Sequence, residues 1–262
     1  MKNTFQILGS GAGPGAPSFF CDCPGCQEAH HNPALVRTRS GACIVTDNRT
    51  ILLDTPPDLR IQLLREKITR IDAILLTHWH YDHFGGLGEL EYYVKLRRNE
   101  PLPLYLPPSA IGQCEKSFPN LAEVFVIRAW EFGKAYSFGA ISITPLPANH
   151  GIETAGFLVR SGLKRLAYFP DTAGLPDETA QQVKGIDFFI CDATFHGDNW
   201  FPASHMNVEE AIDLGRKIQA GHTILTHLSV HYSQPVTVKE LTEITSPYRG
   251  VLVAYDGMRV DL

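Results

Sequence analysis

Residues 73–83 read AILLTHWHYDH, an apolar segment that runs directly into a cluster of histidine and aspartate side chains. The apolar part predicts a buried strand, because it is short and ends in a polar turn. Side chains two positions apart point the same way after a strand, so His78 and His80 can bind one ion together. The following turn can direct Asp82 and His83 toward a second ion. This spacing therefore predicts a metal site rather than a polar surface loop.

Further ligands are expected from other strand ends, because one segment cannot complete the coordination of two ions. Each candidate lies just beyond another apolar segment; the candidates are His150, Asp171 and His227. Taken singly, each is equally well explained as an ordinary polar loop residue. Their shared position after strands favours one common site.

The rest of the chain alternates short apolar runs with turns that contain glycine and proline. The predicted strands are residues 4–8, 42–46, 50–54, 73–77, 103–106, 124–128, 141–145, 156–160, 165–169, 187–191, 223–226 and 250–254. The predicted helices are residues 57–66, 86–96, 176–183, 208–220 and 238–244. Helix 208–220 has the strongest signal, because Asn207 and Glu210 form a capping pair before it and Gly221 follows it. This order predicts a layered α/β or α+β domain.

The composition excludes several classes of protein. A chain of 262 residues with 44% hydrophobic and 19% charged residues is neither disordered nor a coiled coil, and we expect one domain over residues 1–262. The net charge of −5 argues against a large nucleic-acid partner. An apolar run of the roughly 20 residues that span a bilayer is absent, as is a signal-peptide pattern. A cytoplasmic protein without a membrane partner is expected.

The clustered cysteines predict a second metal site. Residues 21–26 read CDCPGC and contain Cys21, Cys23 and Cys26. In a reducing compartment, such a cluster indicates a metal site rather than disulfides. Three thiolates suit a structural Zn²⁺, which needs a fourth ligand. His231 is favoured because it lies four residues after His227, and His30 and His31 are the alternatives. The zinc-binding loop would span about residues 18–33.

The arrangement of these residues resembles the metallo-β-lactamase fold over essentially the whole chain. The resemblance implies a four-layer αββα sandwich with a dinuclear site at one edge of its two sheets. It implies that one metal is held by His78, His80 and His150, the other by Asp82, His83 and His227, and that Asp171 bridges both. Two divalent ions, whether Mn²⁺, Zn²⁺ or Fe²⁺, lower the pKa of a shared water and supply hydroxide at neutral pH. Asp54 matches a family aspartate that orients the metal-binding groups.

The cysteine motif resembles the phosphoribosyl cyclic phosphodiesterase (PhnP-type) subfamily, which pairs a Cys3His zinc with the catalytic metals. Residues 8–11 (LGSG), 171–176 (DTAGLP) and 255–258 (YDGM) also match. The resemblance implies a small phosphorylated sugar or nucleotide as substrate, above all 5-phosphoribosyl 1,2-cyclic phosphate, which would be opened to ribose 1,5-bisphosphate. It also implies that His205 is a general acid and that Asp82 and Asp171 take part in catalysis. Relatives are often dimers, so a homodimer is one expected assembly.

Other functions remain open at this point. A tRNA 3′-processing nuclease of the same fold should carry a basic arm that grips tRNA. A β-lactamase or thioesterase is disfavoured by the cysteine motif. A metal protein akin to the pyrroloquinoline-quinone biosynthesis protein B group shares the cysteine loop but has an altered metal motif. For His205, an ordinary solvated loop residue is the alternative to a general acid.

Overall fold

Two mixed sheets face each other in a computed structural model that describes residues 3–118, 123–232 and 234–262. Each sheet has seven strands within these residues. The sheets enclose an apolar core, and helices cover their outer faces. The predicted αββα sandwich is therefore confirmed.

The first sheet is built from the N-terminal half of the chain and the last strand. Its strands are β1 (Thr4–Gly9), β2 (Gly41–Val45), β3 (Thr50–Leu53), β4 (Ala73–Leu75), β5 (Leu102–Leu106), β6 (Phe125–Ala129) and β14 (Arg259–Asp261). Their order across the sheet is β14-β1-β2-β3-β4-β5-β6, and β3 to β6 run parallel.

The second sheet follows in the C-terminal half. Its strands are β7 (Tyr136–Phe138), β8 (Ile141–Pro147), β9 (Ala155–Ser161), β10 (Lys164–Phe169), β11 (Phe188–Asp192), β12 (His222–Thr226) and β13 (Val251–Val253). Their order is β13-β12-β11-β10-β9-β8-β7, and β10 to β13 run parallel. Because parallel strands end at one edge, the residues after β10, β11 and β12 emerge side by side.

The helices pack outside the sheets through apolar residues. They are α1 (Pro24–His31), α2 (Leu59–Arg65), α3 (Tyr81–Phe84), α4 (Glu91–Tyr93), α5 (Ile111–Ser117), α6 (Asp177–Gln182), α7 (Val208–Lys217) and α8 (Val238–Thr245). Leu59 of α2 and Cys114 of α5 bury against the first sheet, and Ala211 of α7 and Leu241 of α8 bury against the second. Among the described residues, no helix is long and apolar enough to cross a membrane.

The sequence pattern missed strands β7 and β14 and helices α1, α3 and α5. Strands β7 and β14 have three residues each, which is too short to show a clear period. Helix α1 begins at Pro24 inside the cysteine motif, so half of the predicted zinc-binding loop at residues 18–33 is helical. The predicted capping box of α7 is present, with Asn207 accepting from the Glu210 amide, but the helix ends before Ile218.

The C-terminal residues 255–258 are tied to the first loop by one carboxylate. Asp256 accepts hydrogen bonds from the amide and hydroxyl of Ser10 and from the amide and hydroxyl of Thr38. Arg65 lies 3.0 Å from the same carboxylate. The buried Arg37 donates to the Ser10 hydroxyl and to the Ala254 carbonyl. A nearly buried charge that serves so many donors is costly to remove.

We predict that Asp256→Asn lowers the free energy of unfolding by about 3 kcal/mol, because it removes the charge that these donors share. Urea unfolding measures the change. The control is Asp213→Asn, whose carboxylate is 78% exposed and lies 3.8 Å from Arg216. It should change stability by no more than about 0.5 kcal/mol. Equal effects of the two substitutions would contradict the prediction.

Candidate metal centre

The strand ends of both sheets meet at one edge of the sandwich. The segment after β4 carries four of the predicted ligands, and β8, β10 and β12 are each followed by one more. The sheets also contact each other here, because the Ala155 amide at the start of β9 donates to the Thr77 carbonyl beyond β4 at 3.0 Å. The structure brings together all seven side chains: His78, His80, Asp82, His83, His150, Asp171 and His227.

One group of four lies on the side of His80. The Nδ1 atom of His80 is 2.9 Å from Nε2 of His78 and 3.1 Å from Nε2 of His150. The carboxylate of Asp171 approaches His78 Nε2 at 3.3 Å. Ligand nitrogens of a tetrahedral zinc site are about 3.3 Å apart. The spacing of these atoms therefore suits one metal ion.

A second group lies on the other side of Asp171. The Oδ2 atom of Asp82 is 3.7 Å from Nε2 of His83 and 3.6 Å from Nε2 of His227. The Oδ2 atom of Asp171 is 3.4 Å from the same His83 nitrogen and 3.8 Å from that of His227. Asp171 thus lies between the two groups, where a bridging ligand belongs.

Two of these residues, Asp171 and His78, have pKa shifts that suit cation binding. Burial disfavours the Asp171 carboxylate, but the charge of His227 and hydrogen bonds from His205 and His78 hold its pKa well below the usual range. Burial and the charge of His83 lower the pKa of His78 to about 3. A carboxylate and a neutral imidazole are the forms that bind metals.

Four of the imidazoles are oriented by a hydrogen bond on the nitrogen that faces away from the group. The pairs are His78 with Thr77, His83 with Asp54, His150 with the Ser204 carbonyl and His227 with Thr194, at 2.8 to 2.9 Å. In each ring Nδ1 is engaged, which directs Nε2 to the centre. Partners of this kind are usual around metal-binding histidines.

Two buried histidine nitrogens without hydrogen-bond partners indicate whether metal ions fit this site. The Nε2 atoms of His83 and His227 are buried and have no hydrogen-bond partner within the described residues. A buried polar atom without a partner costs about 1–3 kcal/mol. Both atoms point at carboxylates at metal-ligand spacing, so a divalent cation between them would satisfy both. The residues therefore fit a dinuclear centre.

The backbone is strained at two of these strand ends. Asp54 follows β3 with φ of 65°, and His227 follows β12 with φ of 56°. Residues other than glycine adopt this left-handed conformation rarely. Asp54 is held in it because its carboxylate accepts from the amide and hydroxyl of Thr77 as well as from His83. Strain of this kind is characteristic of functional sites.

The cysteines form a separate group with His231. The Cys21, Cys23 and Cys26 sulfurs and a His231 ring nitrogen all lie within 4.8 Å of one another. Cys26 Sγ is 3.1 Å from Nδ1 of His231. His30 and His31, the alternative ligands, are exposed and lie outside this group.

Close packing of α1 brings the cysteines to His231. A Cβ atom on Gly25 would lie 2.5 Å from the Val236 carbonyl oxygen and 2.7 Å from Cβ of Val230, so only glycine fits in the CPGC turn. Burial and the neighbouring thiols raise the pKa of Cys26 to about 12. A bound dication would reverse this preference and stabilise the thiolates. The donors and their spacing therefore fit a zinc ion.

His205 lies beside the dinuclear group rather than in an isolated loop. Its Nδ1 atom is 2.9 Å from Oδ1 of Asp171 and 3.0 Å from Oδ2 of Asp192. Burial opposes protonation of His205, but the hydrogen bonds that its ring donates to Asp171 and Asp192 outweigh burial and raise its pKa to about 10. Dications on Asp171 would lower this pKa, because they repel an imidazolium.

Asp192 was not among the site residues that the sequence predicted. It ends β11 and accepts hydrogen bonds from His205 and from the Thr194 and Met206 amides, each at 3.0 Å. Its position in the sequence could have identified it, because Asp192 lies at the end of an apolar run. Asp54 and Asp171 occupy similar positions at the ends of other apolar runs.

A cleft of about 420 Å³ opens onto these residues. It is lined by Ala12, Gly13, Pro14, His80, Asp82, Asp171, Thr194, Phe195, Trp200, Phe201, His205, His227 and Tyr232. The metal-binding side chains and His205 are thus accessible to a small substrate.

We predict that Cys23→Ser removes one zinc ion per chain and lowers the free energy of unfolding by about 3 kcal/mol, because the site loses a thiolate. Elemental analysis and urea unfolding measure the two effects. Cys114→Ala, at a buried cysteine outside this group, is the control and should keep the zinc. If Cys23→Ser keeps its full metal content, the assignment of the cysteine group is wrong.

Three comparisons place these features among known proteins. Residues 49–228 match the family model of the β-lactamase superfamily domain. The chain is 26% identical to coenzyme PQQ synthesis protein B of Methylorubrum extorquens, covering 98% of this chain and 99% of that protein.

Two solved structures share the fold over nearly their full lengths. A diphosphatase of the PhnP family superposes with a TM-score of 0.87 at 26% identity, covering 100% of this chain and 98% of that one. Zinc-bound PqqB of Methylobacterium extorquens superposes with a TM-score of 0.82 at 25% identity, covering 99% and 100%. With its two seven-stranded sheets and its His and Asp residues gathered at their shared edge, the chain belongs to the metallo-β-lactamase superfamily.

Proposed function

We propose that this protein hydrolyses phosphodiester bonds in small cyclic phosphodiesters. The observation that carries the proposal is the position of His205, whose ring lies against the Asp171 carboxylate and borders the same cleft as the predicted metal ligands. This combination provides sites for two cations and an adjacent proton donor. The similarity to a PhnP-family diphosphatase supports phosphorus chemistry. The sequence resemblance implies two classes of cyclic substrate, phosphorylated sugars such as 5-phosphoribosyl 1,2-cyclic phosphate and nucleotides, and the proposal covers both.

The two groups of residues would hold the catalytic metals. His78, His80 and His150 would hold the first, Asp82, His83 and His227 would hold the second, and Asp171 would be shared between them. When bound, two divalent ions activate water at neutral pH and neutralise charge on the phosphoryl oxygens. Mn²⁺, Zn²⁺ and Fe²⁺ are all compatible with imidazole and carboxylate ligands.

His205 would protonate the leaving oxygen. With Nδ1 bonded to Asp192, Nε2 is the ring nitrogen that can donate a proton to a group in the cleft. Asp192 is itself fixed by backbone amides on both sides of the loop that carries His205, so the imidazole is held in one orientation. A positioned general acid of this kind contributes about 10²–10⁴-fold to the rate.

A second candidate follows from the curated relatives. A role like that of the coenzyme PQQ synthesis protein B group is favoured by 26% identity over nearly the whole chain. The HxHxDH motif at residues 78–83 is intact in this chain, which favours hydrolysis. Absence of phosphodiester turnover by metal-replete protein would favour the second candidate.

We predict that Asp171→Ala abolishes hydrolysis of bis(p-nitrophenyl) phosphate, because both catalytic metals lose a shared ligand. Elemental analysis should show loss of those metals while one zinc per chain remains. His222→Asn is the control, since His222 is exposed and lies outside the metal-binding groups. Full activity of Asp171→Ala would show that the site assignment is wrong.

We predict that His205→Ala affects substrates according to their leaving group. Opening of a cyclic sugar phosphate should slow by at least about 100-fold, because its alkoxide must be protonated as it leaves. Hydrolysis of bis(p-nitrophenyl) phosphate should slow far less, because p-nitrophenolate leaves without a proton. Measured kcat values for both substrates test this. An equal loss on both would contradict a general-acid role and indicate damage to the metal site.

A further inference from the structure

Aromatic side chains form one wall of the cleft next to the metal-binding residues. We call this set the aromatic platform; it comprises Phe195, Trp200, Phe201 and Tyr232. The ring centroid of Phe195 lies 6.1 Å from Trp200, 6.3 Å from Phe201 and 5.9 Å from Tyr232. Trp200 and Tyr232 are 5.7 Å apart with their planes at 36°. Trp200, Phe201 and Tyr232 therefore pack around the ring of Phe195.

The platform leaves large apolar rings open to solvent. Phe195 is buried, whereas Trp200 is 56% exposed and Phe201 is 60% exposed. Exposed aromatic rings that border a cleft with convergent polar groups are typical of ligand-binding sites. A purely structural role would not require both outer rings to face the cleft.

The aromatic platform is held close to His205 and to the predicted metal ligand His150. The centroid of Phe195 is 6.0 Å from that of His205. Trp200 and Phe201 lie in the same loop as His205, where Asn199 donates to the His205 carbonyl at 2.8 Å. His150 Nδ1 contacts the carbonyl of Ser204 in this loop at 2.9 Å. A group one sugar ring away from the scissile phosphorus would therefore reach the platform.

The charges of the cleft do not suit a second phosphate. Among the described residues that line it, none is lysine or arginine, and the carboxylates Asp82 and Asp171 belong to the metal groups. Arg39 donates to the carbonyl of Gly13, a lining residue, but it is already paired with Asp58 at 3.0 Å. A second phosphate on the sugar, away from the scissile phosphodiester, would therefore contact aromatic rings rather than a cationic side chain.

We propose that the aromatic platform is a base-stacking subsite that selects phosphodiesters carrying a planar heterocyclic ring over phosphorylated sugars without one. The effect of this subsite on substrate turnover rests on the proposed phosphodiesterase function, whereas its effect on binding does not. Every nucleobase offers a π face, and stacking on an exposed aromatic side chain strengthens binding by about 10-fold per base.

The kinetic test compares two cyclic substrates on metal-replete protein. They are adenosine 2′,3′-cyclic phosphate, which carries a base, and 5-phosphoribosyl 1,2-cyclic phosphate, which does not. The ratio of kcat/KM for the first over the second should exceed one. Trp200→Ala should reduce this ratio about 10-fold through KM, and Trp200→Phe should largely restore it.

The control is Tyr92→Ala, which removes a ring that is 69% exposed and lies outside the cleft. It should leave the ratio unchanged. A ratio that is the same in wild type and Trp200→Ala would overturn the proposal. A fall in kcat on both substrates without a change in the ratio would also overturn it, because that pattern indicates a structural role.

A binding test separates the platform from the reaction. Adenosine 3′-monophosphate should quench the fluorescence of Trp200 at concentrations at which ribose 5-phosphate does not. The difference should vanish in Trp200→Phe, which retains Trp79 and Trp130. If no diester is turned over but the quenching occurs, the proposed function fails and the subsite stands. Equal responses to both phosphates would overturn the subsite even in an active enzyme.

Discussion

The centre depends on one buried carboxylate, Asp171, which lies between imidazoles from several strand ends. It is almost inaccessible to water, yet the histidines around it keep it ionised. A buried negative charge of this kind is costly unless positive charge surrounds it. The ring nitrogens of His83 and His227 that face it have no hydrogen-bond partner in the described protein. This edge of the sandwich is therefore built for cations, and the neighbouring hydrogen bonds aim the ligands at them.

The cysteine group and the dinuclear group are connected by a short piece of chain. His227 begins the segment after β12 with a strained backbone, and His231 of the same segment meets the cysteines. Helix α1 packs so closely against Val230 and Val236 that Gly25 has no room for a side chain. A zinc ion held by this group would fix the His231 end of the segment, four residues from His227. It would thereby position His227 without taking part in the reaction.

The loop that follows β11 combines two roles. His205 contacts Asp171 and Asp192, while Trp200 and Phe201 extend the cleft with exposed rings. Because one fold supports many activities, function depends on the residues that surround the site, and this loop supplies several of those that line the cleft. In the proposed reaction, proton transfer from His205 and contacts to the rest of the substrate would both depend on the conformation of this loop. Asp192 stabilises it by accepting from two of its amides.

The local sequence alone indicated most of the strands and the metal-binding side chains that follow several of them. Three local patterns carried this information: the HxHxDH spacing after an apolar segment, the CDCPGC motif and the capping box of α7. Each depends only on residues that are close together in the chain. Tertiary structure decided what lies far apart in sequence: that His231 rather than His30 or His31 meets the cysteines, that Asp192 holds His205, and that aromatic rings line the cleft. These contacts depend on how the parallel strands of two sheets align, and no short-range periodicity encodes that alignment.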